Sequence, residues 1–203
     1  MSYTLYVYFK RSKDCSTNWR KKYMKKVSAL TAYFSHSGNT REIAHQIHEY
    51  VGGDVFEIVS VNPYPSDYDA VVEQARKELK KDCRPGLKTK VENMNLYDVV
   101  FIGYPNWWGT IPMPVATFLS EYDFSGKTIV PFCTHEGSAL GRSVADIKGL
   151  CPQSPILEGL PVRGSDVKNA RNKVSGWLRE LGMKKQKALF IPLGKNQVMK
   201  NVV

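Results

Sequence analysis

Residues 27–51 combine an apolar run, a hydroxyl-rich loop and an amphipathic pattern, and this order constrains the fold more than any other feature. The run from Val27 to Phe34 is apolar and rich in β-branched residues, which predicts a strand buried on both faces. Apolar residues then recur at three- and four-residue spacing, as they do on one face of a helix, at Ile43, Ala44, Ile47 and Val51. The chain therefore begins its folded part with a strand, a loop and a helix.

The loop between this strand and helix is built from small and hydroxylated residues: Ser35, His36, Ser37, Gly38, Asn39 and Thr40. Loop N–H groups and the unpaired donors of a helix's first turn converge on one point, where the helix dipole also favours an anion. The loop has no lysine for a triphosphate and no G-x-G-x-x-G for a dinucleotide. Its neutral donors suit a single phosphate monoester, although Ser, Asn and Thr also begin helices for structural reasons alone.

Strands and helices alternate through the rest of the chain, as in repeated βαβ units. Further strands are predicted at residues 54–59, 97–104, 128–133 and 156–162, and helices at residues 67–81, 113–121 and 166–181. The run at 97–104 is apolar almost throughout, which indicates a central strand.

Two segments at the ends of these strands carry further chemistry. Residues 104–110 place adjacent tryptophans in a Pro/Gly loop, where only one can point easily into a core. A planar ring stacked on one tryptophan would explain the position of the other, but both could instead pack on neighbouring helices. Residues 134–143 are mostly small, with Gly137 and Gly141, so their backbone can approach and hydrogen-bond the edge of a pyrimidine ring.

These motifs together resemble the flavodoxin family. S-H-S-G-N-T resembles its phosphate loop, S/T-x-S/T-G-x-T, and P-N-W-W-G at 105–109 resembles a flavin-ring loop that reads P-x-W-W-G. The match covers residues 25–182, and the last strand lacks the inserted loop of the long-chain type. The resemblance implies an α/β, three-layer, doubly wound fold, with a five-stranded parallel sheet of order 2-1-3-4-5 and FMN at the carboxyl ends of the strands.

The resemblance also implies which residues bind the cofactor, with Trp108 expected to stack on the isoalloxazine. They are Ser35, His36, Ser37, Gly38, Asn39 and Thr40 in the first loop, Pro105, Asn106, Trp107, Trp108 and Gly109 in the second, and Thr134, His135, Glu136 and Gly137 in the third. No catalytic residue is expected, because the flavin carries the chemistry, and no metal ligand is expected either.

His135 and Glu136 replace smaller residues of the family's third loop, which often reads T-S-G-G-S-G. A carboxylate near the ring would lower the reduction potential. A protonated His135 or His36 would raise it. Each of these residues could equally be a solvated loop residue.

The net charge of +10 lies at the ends of the chain. Of the 29 Lys and Arg residues, six lie in residues 1–23 and five in residues 184–203, which leaves 18 against 18 acidic residues in between. We therefore predict a basic, poorly ordered extension at 1–23, an FMN-binding domain at 24–183 and a basic tail at 184–203. A basic organelle-targeting presequence is an alternative interpretation of the first segment.

The sequence predicts a flavoprotein that transfers electrons between redox partner proteins. The alternative is an NAD(P)H-dependent quinone reductase or related oxidoreductase, and a third hypothesis is a non-catalytic module whose basic ends contact nucleic acid or anionic membranes. Neither nucleic acid nor membrane is expected for the domain itself, and monomer and homodimer both stay open. Four well-separated cysteines and the lack of a membrane-length apolar run favour a reduced, cytoplasmic protein.

Overall fold

The computed structural model describes residues 28–186, which form a five-stranded parallel sheet of order β2-β1-β3-β4-β5. The strands are β1 (Ala29–Tyr33), β2 (Asp54–Glu57), β3 (Val99–Pro105), β4 (Thr128–His135) and β5 (Leu160–Arg163). The predicted strand order is confirmed. Every residue of β1 is buried, as the apolar run indicated, and β3 is buried along nearly its whole length.

In residues 28–186, four α-helices connect consecutive strands and a fifth follows β5: α1 (Asn39–Val51), α2 (Tyr68–Lys81), α3 (Met113–Glu121), α4 (Ser143–Leu150) and α5 (Arg171–Glu180). One core lies on the face covered by α1 and α5, and it includes Ile43, Ile47 and Trp177. The other lies under α3 and α4, with Phe118 and Ile147 at its centre. The sheet is therefore the middle of three layers, as a doubly wound fold requires.

The predicted strand at 156–162 is wrong in its first half, because the pairing with β4 is interrupted. Ile129 bonds to this segment through both of its backbone groups, donating to Pro155 and accepting from Leu157. Pro131, two residues further along β4, faces the same neighbour but has no N–H to donate. The regular strand consequently begins only at Leu160.

One predicted helix needs correction, and one helix was not predicted. The predicted helix at 166–181 starts with a 3₁₀ segment, Gly164–Asn169, before α5. There the carbonyl of Val167 accepts hydrogen bonds from the Ala170 N–H and from the Gln46 side chain. These bonds stabilise the 3₁₀ turn. Helix α4 is missing from the sequence interpretation, because it has only eight residues, contains Gly149 and buries few side chains.

The packed body continues to the last described residues. Met183 is buried, and the N–H of Gln186 donates to the carbonyl of Tyr50. Contacts therefore extend past the predicted boundary at residue 183. The predicted extension at 1–23 and most of the tail at 184–203 fall outside the described residues, so both stay predictions. Within residues 28–186, no helix has the length and apolar character needed to cross a bilayer.

Candidate functional site

Three loops meet above the carboxyl ends of β1, β3 and β4. The strand order reverses direction between β1 and β3, which is where open α/β sheets leave a crevice for ligands. A cleft of about 580 Å³ lies there, and we call it the loop cleft. Its lining includes His36, Ser37, Asn39, Pro105, Asn106, Trp107, Trp108, Thr134, His135, Glu136 and Gly137. Segments far apart in the sequence thus converge on one site.

The other four predicted residues lie around the cleft instead of in its lining. The Ser35 hydroxyl accepts hydrogen bonds from the N–H groups of Gly38 (3.2 Å) and Arg41 (3.3 Å), so it holds the turn that begins α1. Gly38 has a φ of 92°, in the region that favours glycine. The hydroxyls of Thr40 and Thr134 bond to each other at 2.9 Å in a buried position. Ser35, Gly38 and Thr40 thus shape the first loop and tie it to β4. The fourth residue, Gly109, lines a neighbouring depression on the side of Trp108 that faces away from the loop cleft.

The first loop leaves polar groups of Ser37 and Asn39 at the cleft. The N–H groups at the start of a helix have no partner within the helix, and here Ser35 caps those of Gly38 and Arg41. Glu42 already bonds back to the carbonyl of Gly38. The start of α1 can therefore present backbone donors together with the side chains of Ser37 and Asn39 to an anion.

The second loop turns sharply at Trp108 and Gly109. Trp107 and Thr110 exchange both backbone hydrogen bonds at 3.1 Å, and the two residues between them have φ of 54° and 78°. This is a type I′ turn, which normally takes Asn or Gly at its first central position. A tryptophan held there carries backbone strain of about 1–2 kcal/mol. Strain of this kind is concentrated at functional sites.

The two tryptophans have different surroundings. Trp107 is partly buried in an edge-on aromatic cluster, with ring centroids 5.4 Å from Phe34 and 5.0 Å from Tyr64. Trp108 is 51% exposed, and its indole N–H donates to the Val72 carbonyl of α2 at 3.2 Å. One tryptophan thus points inward and the other lies at the cleft mouth against a helix.

The third loop is fastened to the second. The Asn106 side-chain amide donates to the Ala139 carbonyl at 2.7 Å, and the N–H of Arg142 donates to the Gly109 carbonyl at 2.8 Å. A side chain at Gly141 would put its Cβ 2.3 Å from that same carbonyl oxygen, so only glycine fits. The two loops therefore form one wall of the cleft.

His135 and Glu136 differ in exposure and charge. Partial burial, with the positive charge of Lys173 nearby, lowers the pKa of His135 below its ordinary value of 6.5. Its imidazole is therefore neutral at neutral pH, which speaks against a protonated His135 in the cleft. Glu136 is exposed at the rim. His36 is exposed as well, and one of its ring nitrogens lies 2.9 Å from the Pro65 carbonyl.

Two buried polar atoms at the cleft have no hydrogen-bond partner among the described residues: Asn106 Oδ1 and His135 Nδ1. Buried polar atoms are rarely left unpaired, and an exception calls for an explanation. Both atoms belong to residues of the cleft lining, so a bound ligand with polar ring edges is a direct explanation.

The structure adds residues that sequence reasoning missed. Tyr68, Val71, Val72 and Ala75 of α2 and Ser138 of the third loop also line the cleft. Tyr68 is 77% exposed and extends the apolar spacing of α2 by one turn toward its amino end. The apolar spacing is a signal in the sequence, but it does not distinguish a face that meets the core from one that lines a cleft.

The arrangement contains no evident nucleophile. Burial raises the pKa of the Cys133 thiol to about 12, so it stays protonated at neutral pH. Its S–H group contacts the Ala139 carbonyl at 3.2 Å. In the part of the chain described here, no three His, Cys, Asp or Glu side chains are grouped to hold a metal. The site is built to hold a ligand with an anionic end and a planar apolar body.

Comparisons with known proteins agree with this geometry. The family model described as Flavodoxin matches residues 28–181. A protein from Bacteroides eggerthii assigned as a flavoprotein is 35% identical over 76% of this chain and 97% of its own, with a TM-score of 0.68. A counterpart from Bacteroides uniformis is 29% identical over 76% and 99% of the two chains, with a TM-score of 0.69.

A more distant structure shows the shared fold alone. The flavoprotein from Lactobacillus acidophilus, solved in complex with FMN, is 22% identical over 70% of this chain and 97% of its own, with a TM-score of 0.59. A comparison with curated protein sequences gives no significant match.

Proposed function

We propose, from the premise that this chain belongs to the flavodoxin family, that it binds FMN in the loop cleft and transfers electrons through the bound flavin. The observation that carries the proposal is Trp108, which is strained, half exposed and placed at the same cleft as an anion-binding helix start. A half-exposed indole in a strained turn gains little from packing, and stacking on a planar ligand would account for its position.

The residues of the cleft fit FMN at each of its parts. Ser37, Asn39 and the start of α1 offer donors to the phosphate. Trp108 offers an aromatic face to the ring, and α2 offers Tyr68 and apolar side chains. Asn106 Oδ1 and His135 Nδ1 are unpaired atoms that a ring edge with N–H and C=O groups can satisfy.

When bound, the flavin supplies the redox chemistry, and the chain supplies binding and electrostatics. The apolar side of α2 and Trp108 give the cleft one largely apolar wall. A neutral His135 adds no positive charge, while the exposed Glu136 adds negative charge at the rim. Negative charge here disfavours further negative charge on the ligand, which lowers the reduction potential.

Electron transfer between proteins is favoured over hydride transfer by one contact. The hydrogen bond from Trp108 to Val72 joins the second loop to α2 across the mouth of the cleft. A nicotinamide must stack directly on the flavin ring, and a second loop tied to α2 leaves less room for such a stack. Single electrons need only proximity, so a protein partner does not require that room. An NAD(P)H-dependent oxidoreductase remains the alternative that the following test separates.

The first test is an anaerobic visible spectrum of the FMN-loaded protein. We expect a bound-flavin spectrum that NADPH alone bleaches slowly and that bleaches rapidly once a flavoprotein reductase is added. Rapid bleaching by NADPH alone, with turnover of an added quinone, would establish the oxidoreductase instead. Lack of flavin binding in the presence of added FMN would overturn the proposal and favour the non-catalytic module.

A charge substitution tests where the phosphate lies. Ser37→Asp adds a carboxylate at the proposed phosphate position, and we expect FMN affinity to fall more than tenfold, about 1.4 kcal/mol. Asn95→Asp is the matched control, because it adds the same charge at an exposed residue that precedes β3, at the opposite edge of the sheet. A loss of tenfold or less for Ser37→Asp, or an equal loss for the control, would show that the phosphate lies elsewhere.

A further inference from the structure

A second depression, of about 520 Å³, lies on the outer side of Trp108. It runs between the C-terminal half of α2 and the start of α4, and its lining includes Arg76, Lys80, Trp108 and Arg142. We call this surface the tryptophan face. Its described lining contains three cationic side chains and no carboxylate.

The positive charge of this face is only partly balanced by its neighbours. Glu73 is shared between Arg76 (3.0 Å) and Lys77 (3.4 Å), and Asp146 pairs with Arg142 at 3.2 Å. Glu73 and Asp146 are thus two carboxylates beside four cations, which are the three of the face and Lys77. Ion pairs at exposed positions are weak and leave the cations available to another partner. The face therefore keeps a net positive field.

Trp108 connects this face to the loop cleft, because its side chain lines both cavities. A molecule that docks on the tryptophan face therefore contacts the same tryptophan that lines the loop cleft. Trp and Arg, represented here by Trp108, Arg76 and Arg142, are also residue types that are enriched at the centres of protein interfaces. The depression is open to solvent, so it suits a broad protein surface better than a small molecule.

We propose that the tryptophan face docks the acidic surface of a redox partner protein, which exchanges one electron with the cofactor next to Trp108. This inference rests on the proposed function, since it assumes a redox cofactor in the cleft. The step is a single electron passing from the reduced cofactor to the partner's oxidised centre. With a haem partner, ferric iron becomes ferrous, and no covalent bond is made or broken.

The experiment uses two one-haem proteins as probes, acidic cytochrome b5 and basic cytochrome c. Their binding to the full-length protein is measured by calorimetry, and their reduction by the FMN-loaded, reduced protein is followed at the haem absorbance. We expect cytochrome b5 to bind more tightly than cytochrome c, and its binding to weaken as ionic strength rises.

Charge reversal at the face identifies the docking residues. Arg76→Glu combined with Lys80→Glu should weaken cytochrome b5 binding at least tenfold and slow its reduction, because repulsion replaces attraction. The control is Lys168→Glu combined with Arg179→Glu, which makes the same change in net charge at exposed residues on the α1 and α5 side. If the reversed pair does not fold, Arg76→Gln with Lys80→Gln and Lys168→Gln with Arg179→Gln replace the two variants.

The outcomes separate this inference from the proposed function. An equal effect of the two double variants, or no effect of either, would overturn the docking surface while leaving FMN binding intact. If the protein binds no FMN, the proposed function fails, and calorimetry with oxidised cytochrome b5 still tests the surface. Tighter binding of cytochrome c than of cytochrome b5 would also contradict the proposal.

Discussion

Trp107 and Trp108 are neighbours in the chain, but their energetic roles differ. Trp107 packs edge-on against Phe34 and Tyr64, so its ring belongs to the aromatic core. Trp108 stands half exposed with a φ of 54°, where its side chain adds strain to the turn. Substitutions at the two positions should therefore separate binding from stability.

Trp108→Asn should weaken FMN binding about tenfold without destabilising the fold. Asn followed by Gly is a preferred type I′ pair, so the free energy of unfolding should stay constant or rise by up to about 1 kcal/mol. Loss of aromatic stacking accounts for the weaker binding. Trp107→Ala is the comparison, with an expected loss of about 3 kcal/mol of stability. Urea unfolding without FMN and fluorescence titration with FMN measure the two quantities, and equal destabilisation by both variants would contradict this assignment.

His135 should make the stability of the flavin-free protein depend on pH. Burial and the nearby Lys173 lower its pKa in the folded state, so the unfolded state binds more protons as the pH falls below 6.5. Its contribution to stability is present above that pH and is lost as the pH falls toward the folded-state pKa. Between about pH 7.5 and about pH 5.5, the wild type should lose more unfolding free energy than His135→Gln. Parallel pH profiles of the two proteins would show that His135 is not responsible.

Two loops that belong to different βα units are joined through Gly109 and Gly141. The backbone of Gly141 passes so close to the Gly109 carbonyl that a Cβ would lie 2.3 Å from the oxygen. The contact is reinforced by the bond from the Arg142 N–H to the same carbonyl. Trp108 is therefore positioned by the third loop as well as by its own turn.

Gly141→Ala should push these loops apart and weaken FMN binding, in addition to destabilising the fold. Gly126→Ala is a matched control, since Gly126 also has a positive φ, of 75°, but no atom lies within 4 Å of its added Cβ. The control should lose about 1 kcal/mol of stability from backbone strain alone, with unchanged FMN affinity. Thermal melts and FMN titrations of both variants test this, and equal FMN affinities would argue against loop coupling.

Most of the sheet could be predicted because its strands are nearly continuous apolar runs, such as Val99–Gly103. Helices with a clear apolar stripe were equally readable, and α3 has the predicted bounds, Met113–Glu121. Errors arose where tertiary bonding decides the outcome. The missing N–H of Pro131 interrupts β5, and Gln46 from a distant helix bonds the turn before α5. Neither partner is visible from the local sequence pattern.

The three loops of the site were recognisable from their small, hydroxylated or aromatic residues, and the structure brings them together. The contribution of α2 was not, because periodicity shows which residues share a face but not what that face meets. Its stripe packs on the core at one end and lines the cleft at Tyr68 and Val72. The structural tasks of Ser35 and Thr40 likewise depend on bonds that only the folded chain makes.

Residues 28–186 contain the sheet and both described cores, and all cleft residues lie well inside these limits. A chain restricted to residues 24–186 should therefore keep its FMN affinity and its unfolding free energy within about 1 kcal/mol. Gln186 is kept because its N–H bonds to Tyr50. Fluorescence titration and urea unfolding of this shorter chain provide the test, and a marked loss of either quantity would assign a structural role to the ends.

The sheet topology also sets the order in which a newly synthesised chain can become stable. β1 is made first, but its partner β3 follows only after α1, β2 and α2 have left the ribosome. The third loop emerges later still, so FMN cannot stabilise the nascent chain until residue 138 is available. Throughout that interval the edge of β1 that pairs with β3 has no partner, and aggregation competes with folding. The parallel pairing that encloses the core of the folded protein thus leaves the growing chain prone to aggregation during synthesis.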